Sequence, residues 1–247
     1  MNLPILYEDK DLVAVNKPAG IMTHPDGRSD EETASDWFAN AYPASVAVGE
    51  TQRLQDGTEI LRPGVVHRLD RETSGILVFA KTAESHAFLK KAFQDRDAKK
   101  TYLAFVYGIP KEKRGTIEFS IGRSRKDFRL RSAQPKAKGA LREAITRYEV
   151  IAADIEGKHA LLSLNPLTGR THQIRVHLKA IHHPVVADTL YAPGRLHDLG
   201  FERLGLHAYR LDVPTQSGER LLLEAPLPDD LARTLTRFPG APSIASA

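Results

Sequence analysis

The chain has 247 residues, 41% of them hydrophobic, enough to bury a respectable core. It holds no cysteine, which excludes disulfides, zinc-thiolate sites and thiol nucleophiles together and suits a reducing compartment, the cytoplasm by default. A net charge of +4 is too small to name a partner; with no basic leader before an apolar core, and no apolar run near the roughly 20 residues that span a bilayer, neither secretion nor membrane insertion is expected.

From the N-terminus, Ile5 to Tyr7 and Leu12 to Val15 are short apolar runs around the polar turn "EDKD" and predict a hairpin, which "NKPAG" ends at Pro18 and Gly20. Thr33 to Tyr42 has helical spacing and is stopped by Pro43, whereas Ala44 to Pro63 shows little periodicity and reads as a surface insertion. Val65 to Leu69 and Ile76 to Ala80 are expected as strands joined by "DRETSG", the second apolar enough for the centre of a sheet. Thr82 can cap a helix running to Arg96. Strand patterns follow at Tyr102 to Tyr107, Thr116 to Ile121, Phe128 to Arg131, Glu143 to Ile151 and Ala160 to Leu164. A second helix over Thr171 to Ile181 sets Ile174, Leu178 and Ile181 on one face and His172, Arg175, Lys179 and His182 on a basic one. Leu206 to Leu211 and Arg220 to Glu224 finish as strands before "SIASA" frays. Strands predominate and no long linker or repeat is visible, so one α+β domain with a large, mainly antiparallel sheet is expected.

Charge is distributed unevenly. Eleven Lys and Arg lie between Lys111 and Arg142, opposed only by Glu112, Glu118 and Asp127. Such a cluster attracts polyanions by counterion release, and it equally fits a solvated hairpin.

Two stretches place charge where a core would be expected. In "VVHRLDRETSGILVFAKT", Asp70 sits at a strand end before a turn, and on an extended strand Arg68 shares its face while His67 and Leu69 point away. The plain alternative has Asp70 capping the turn through the backbone of Glu72 or Thr73. In "NPLTGRTHQIRVHL", a strand ends at a Thr-Gly turn and opens a helix whose first N–H groups lie beside Arg170, His172 and Arg175, which suits a phosphate or carboxylate; ordinary surface charge is the alternative. No metal is expected: His172 and His177 are five apart, wrong for two ligands of one ion, and His67 with Asp70 is at most a half-site. No glycine-rich nucleotide motif and no GxSxG elbow is present. Tyr102, taken alone, reads as a packing aromatic.

"HRLDRETSGILVFAK" and "LTGRTHQIRVHL", with "NKPAG" before them and "KKTYLAFVYG" between, closely resemble the RluA-type RNA pseudouridine synthases, in the family's order from about Ile5 to Pro226. The resemblance implies the pseudouridine synthase fold, a single domain with a large mixed, mainly antiparallel sheet flanked by helices, placed over residues 1–232 with 233–247 as a tail. It implies an isomerase converting uridines of ribosomal or transfer RNA to pseudouridine, without cofactor; a monomer is expected. The family's catalytic aspartate falls on Asp70, its active-site tyrosine on Tyr102, the arginine that pairs with the aspartate on Arg175, and the arginine that helps displace the target base on Arg68. His67, Arg170 and His172 join Arg68 as expected substrate contacts. Two rivals stay open at this point: a catalytically silent RNA-binding protein on the same fold, and a metal-dependent nuclease using His67, Asp70 and His172.

Overall fold

The structure, a computed structural model, describes residues 1–27, 29–53, 57–125, 127, 130–133, 137–195 and 199–241. The chain gathers into two compact units, Met1–Lys99 with Arg210–Ala225, and Lys100–Tyr209 with the residues from Pro226 on.

The first unit opens with the expected hairpin, β1 (Ile5–Glu8) and β2 (Leu12–Lys17). Its turn is fixed by Asp9, whose Oδ1 accepts the N–H groups of Asp11 and Leu12. Helix α1 (Ala34–Ala41) starts at a capping box in which Thr33 and Asp36 exchange bonds. The segment read as a surface insertion holds a mostly exposed pair of antiparallel strands, β3 (Gly49–Arg53) and β4 (Glu59–Pro63). Its residues are too polar on both faces to show a period, because only Ile60 and Pro63 of β4 turn fully inward. Strand β5 (Ser74–Ala80) is buried at every position, as an almost unbroken apolar run requires. Helix α2 (Ala83–Gln94) is capped by Thr82 with Ser85 and packs Leu89 with Leu12, Ala14, Ile76 and Val78. Phe38 of α1 stacks on Phe79, with ring centroids 4.9 Å apart. Burial of side chains of this size stabilises by about 1.5–3 kcal/mol each.

Val65 to Leu69 is not a strand. Gly64 turns the chain at φ +66°, where a Cβ would lie 2.6 Å from Phe38 Cε1, and beyond it Val65 makes a single bridge to Phe79. The Val78 N–H donates to His67 Nε2, so a side chain meets that part of β5. The alternation that would put Arg68 and Asp70 on one strand face therefore has no basis in this segment.

The second unit continues with β6 (Lys99–Tyr107), β7 (Arg114–Ile117), β8 (Ile121–Arg123), β9 (Arg131–Ser132), β10 (Lys138–Arg142), β11 (Thr146–Ala153), β12 (His159–Pro166) and helix α3 (Gln173–Ala180). The single strand expected over Thr116 to Ile121 is divided between β7 and β8, which belong to different sheets. Phe128 and Arg129, in the strand expected at Phe128 to Arg131, lie outside the described residues. The chain ends with β13 (Leu206–Pro214), β14 (Arg220–Glu224) and the short helix α4 (Asp229–Thr234); the frayed end expected at "SIASA" lies outside the described residues.

Strand order is β1-β2-β5-β13 in the first unit, with β14 also on β13, and β13-β6-β12-β11-β7 in the second; β8, β9 and β10 form a separate small sheet. The strands β1 to β2, β2 to β5, β6 to β12 to β11 to β7 and β13 to β14 pair antiparallel. The strand-rich α+β class with a large sheet and flanking helices is thus the observed one. Alternate residues of β6 serve two cores: Leu103, Phe105 and Tyr107 pack with Leu161, Phe201 and Phe238, while Ala104 and Val106 pack with Leu162, Ile174 and Leu178. The second set seats α3 on the sheet. No helix among the described residues is long and apolar enough to cross a membrane.

Candidate active site

In the first unit, the segment carrying Asp70 is held from both sides by the segment following β2. Lys17 is wholly buried, and its Nζ donates to the carbonyls of Pro18, Ile21 and Arg71 at 2.8, 2.8 and 3.1 Å. Three carbonyl acceptors match the three hydrogens of the ammonium and offset part of the cost of burying its charge. Gly20, at φ +88°, turns its N–H onto the same Arg71 carbonyl at 2.9 Å, and Arg71 Nε returns a bond to Gly20 O. On the other side of Asp70, Thr23 Oγ1 donates to Leu69 O and accepts from Leu69 N–H. Both chain neighbours of Asp70 are thereby clamped, and a turn closes through Thr73 N–H on Asp70 O at 3.1 Å. Asp70 itself is half-buried.

His67 stacks on Phe93 at 4.5 Å, and its Nε2 accepts the Val78 N–H; an acceptor at Nε2 requires the proton on Nδ1. The ring so engaged steadies the segment. Arg68 is exposed, and its Nη1 lies 3.3 Å from Nε2 of the buried His24. His24 donates from Nδ1 to Pro25 O at 2.7 Å, leaving Nε2 as the acceptor for Arg68. Burial, and then the positive charges of Arg68 and Arg62, push His24 down to about 4, so it is neutral at physiological pH. Arg62 is pushed down by its own burial and by Arg68, and its buried Nε has no hydrogen-bond partner among the described residues.

In the second unit, Tyr102 is half-buried on the β6 face that α3 covers. The loop before α3 is organised by Gln173: its Oε1 accepts from Thr168 Oγ1 and Arg170 N–H, and its Nε2 donates to Ile145 O and Thr146 Oγ1. The Thr146 hydroxyl, bonded to His177 Nδ1 at 2.9 Å, passes the chain on, and His177 Nε2 meets Phe119 O. Burial pushes His177 down in pKa, in keeping with a neutral ring. Arg170 also sends Nε to Glu143 O. His172, in the left-handed conformation at φ 56°, places Nδ1 3.0 Å from Tyr191 Oη.

The face of α3 expected to be basic is not open to solvent throughout. Arg175 is 4% exposed and makes a two-pronged pair with Asp188, Nε to Oδ2 and Nη2 to Oδ1, both at 2.8 Å. Asp188 Oδ1 further accepts the N–H groups of Leu190 and Tyr191, and Tyr191 lays its ring 5.1 Å from the guanidinium. Interior position changes the logic of the charge, since a buried guanidinium must have a carboxylate.

Of the seven residues singled out from the sequence, His67, Arg68 and Asp70 fall in the first unit, and Tyr102, Arg170, His172 and Arg175 in the second. Sequence reasoning missed Lys17, Thr23, His24, Gln173 and Asp188. "NKPAGIMTH" carried a signal for the first three, namely polar groups at and just beyond the end of the strongly apolar β2; Asp188, amid "PVVADTL", carried a similar one. A half-buried carboxylate between two clamped neighbours is positioned for nucleophilic or base chemistry, and the exposed guanidinium beside it for an anionic or aromatic ligand.

Residues 11–180 match the family described as RNA pseudouridylate synthase. The chain is 37% identical, over 94% of its length and 68% of the relative's, to an uncharacterized RNA pseudouridine synthase of Synechocystis sp.. It is 36% identical to ribosomal large subunit pseudouridine synthase D of Neisseria meningitidis serogroup B, over 96% of this chain and 61% of that one. Among solved structures it resembles human RNA pseudouridylate synthase domain containing 1, with a TM-score of 0.73 and 28% identity over 100% of this chain and 91% of the other.

Proposed function

Because the chain belongs to the RNA pseudouridylate synthase family and is an isomerase of RNA uridine, we propose that Asp70 is its catalytic carboxylate, Tyr102 the residue that stacks on the target base, and Arg175 the guanidinium that orients Asp70. Arg68 occupies the space left by the flipped nucleotide, with Arg170 and His172 on the substrate backbone.

The reaction breaks the glycosidic C–N bond, turns the base, and joins a ring carbon to the same sugar carbon; the hydrogen formerly on that ring carbon leaves as a proton, and the ring nitrogen released from the sugar takes one up. Atoms and oxidation state balance within the substrate, so the balance calls for no cofactor. A carboxylate oxygen can add to the base, attack the sugar carbon or take a sugar proton, and each requires one carboxylate held still in a site that sheds water. The observation that carries the assignment is the clamp on Leu69 and Arg71, which fixes the residue between them.

Asp70→Asn should abolish tritium release from ring-labelled uridine in RNA while RNA affinity changes little; undiminished release would remove Asp70 from the mechanism. The relatives named for the ribosomal large subunit favour that RNA as the substrate. Carbodiimide-based sequencing of RNA from cells lacking the protein should then show a uridine of large-subunit ribosomal RNA left unmodified, and a loss confined to transfer RNA would overturn that choice.

A further inference from the structure

Lys100 is a cation of the second unit whose ammonium has no hydrogen-bond or carboxylate partner among the described residues. It lies two residues before Tyr102 on β6, and by strand alternation on the same face. Its Nζ would be 4.0 Å from a Cβ built on Gly169, so it reaches the loop "TGR" that leads into α3 and is exposed at that glycine. The loop has no side chain at that point, and the ammonium is left an open approach. The backbone around it is tied down: Asn165 Nδ2 donates to Lys100 O at 3.1 Å and to Thr101 Oγ1 at 2.9 Å. Among the described residues no carboxylate pairs with the Lys100 ammonium, and burial alone pushes the group down, with no compensating charge. Lys17 shows what this chain does with a lysine used for structure: three carbonyls accept from its ammonium. Lys100 has no such set among the described residues. A half-buried cation that costs desolvation and gains nothing inside the fold is matched to an anion that arrives from outside.

We propose that Lys100 binds a phosphodiester of the RNA next to the target uridine, its Nζ meeting a phosphate oxygen over Gly169 while Tyr102 takes the base. The inference rests on the RNA-isomerase reading and adds a backbone contact to it. Positioning of the strand at this point fixes the register of the nucleotide against Tyr102 without reading its sequence.

The test is titration of the full chain with a fluorescent large-subunit ribosomal RNA transcript at several salt concentrations. Lys100→Met should weaken binding about tenfold and make the log Kd against log salt slope shallower by about 0.7 to 0.9, one phosphate contact. Lys100→Arg should restore the slope. Removing a desolvated charge in favour of an apolar chain should leave the melting temperature of Lys100→Met equal or higher. A slope equal to the wild type's overturns the proposal, whether the variant melts lower or its turnover falls, since Lys100 would then be structural or a proton carrier. Asp70→Asn measured in parallel separates the two readings. Retained tritium release there sinks the catalytic assignment and leaves the slope at Lys100 to be judged by itself.

Discussion

Arg175 and Asp188 are 4% and 0% exposed in their side chains and share two parallel hydrogen bonds. Removing one member of such a pair strands the other, at a cost of about 3–5 kcal/mol. Arg175→Leu should lower unfolding stability by that order in denaturant titration, apart from any effect on the reaction; an unchanged midpoint would contradict the pairing. Asp188→Asn should cost less, because an amide oxygen still accepts from Leu190 and Tyr191. Turnover of Arg175→Leu is therefore read only after correction for the folded fraction. His24 makes a second residue-scale prediction. Its folded pKa, about 4, is below the ordinary 6.5, so the unfolded chain takes the proton first. Stability is fully present above pH 6.5 and is withdrawn as pH falls toward 4, by about 3 kcal/mol in all. His177, also pushed down, acts in the same direction. His24→Gln keeps an acceptor for Arg68 but does not titrate, so the difference in stability between about pH 7 and about pH 4.5 should be smaller in the variant; equal losses would show that His24 is not the titrating group.

At the scale of elements, the segment from Val65 to Asp70 gets its rigidity from side chains rather than a strand ladder. Thr23 supplies both a donor and an acceptor to Leu69 and is itself 3% exposed. Thr23→Val keeps the shape and leaves a buried N–H and C=O unmet, which costs about 1–3 kcal/mol for each. Turnover should fall more than the loss of folded protein accounts for, because Asp70 loses one of its two anchors. Turnover falling only with the folded fraction would show the anchor to be irrelevant to the reaction. Helices α1 and α2 are legible from their first residues, since a Thr with a polar partner three residues on satisfies the free N–H groups wherever the helix packs. The hairpin of β3 and β4 is illegible for the converse reason: exposed on most positions, it has no buried face to impose a period.

Across the whole molecule, the small net charge hides a strong local one. Arg123 on β8 and Arg125 after it are exposed, within the basic stretch noted in the sequence; Lys126, Arg129 and Lys136 lie outside the described residues. Neutralising Arg123 and Arg125 together should reduce the salt slope of RNA binding by about 0.7 for each phosphate that they neutralise; an unaltered slope would mean this sheet is outside the RNA footprint. Apolar periodicity, caps and turn residues determined the hairpin at the start, β5, α2, α3, β14 and the strand-rich class, because each depends on neighbours a few residues away. Misplaced charge drew notice to Asp70 and Arg175, and the resemblance of the motifs, not periodicity, gave Tyr102 and Arg175 their expected roles. Only the tertiary structure decided that Lys17 donates to three carbonyls, that His24 serves Arg68, that Asp188 faces Arg175, and that Val65 to Leu69 makes one bridge and no strand. Desolvation is the physical reason: a polar side chain's role is set by whether water is excluded around it, and that depends on residues distant in the chain.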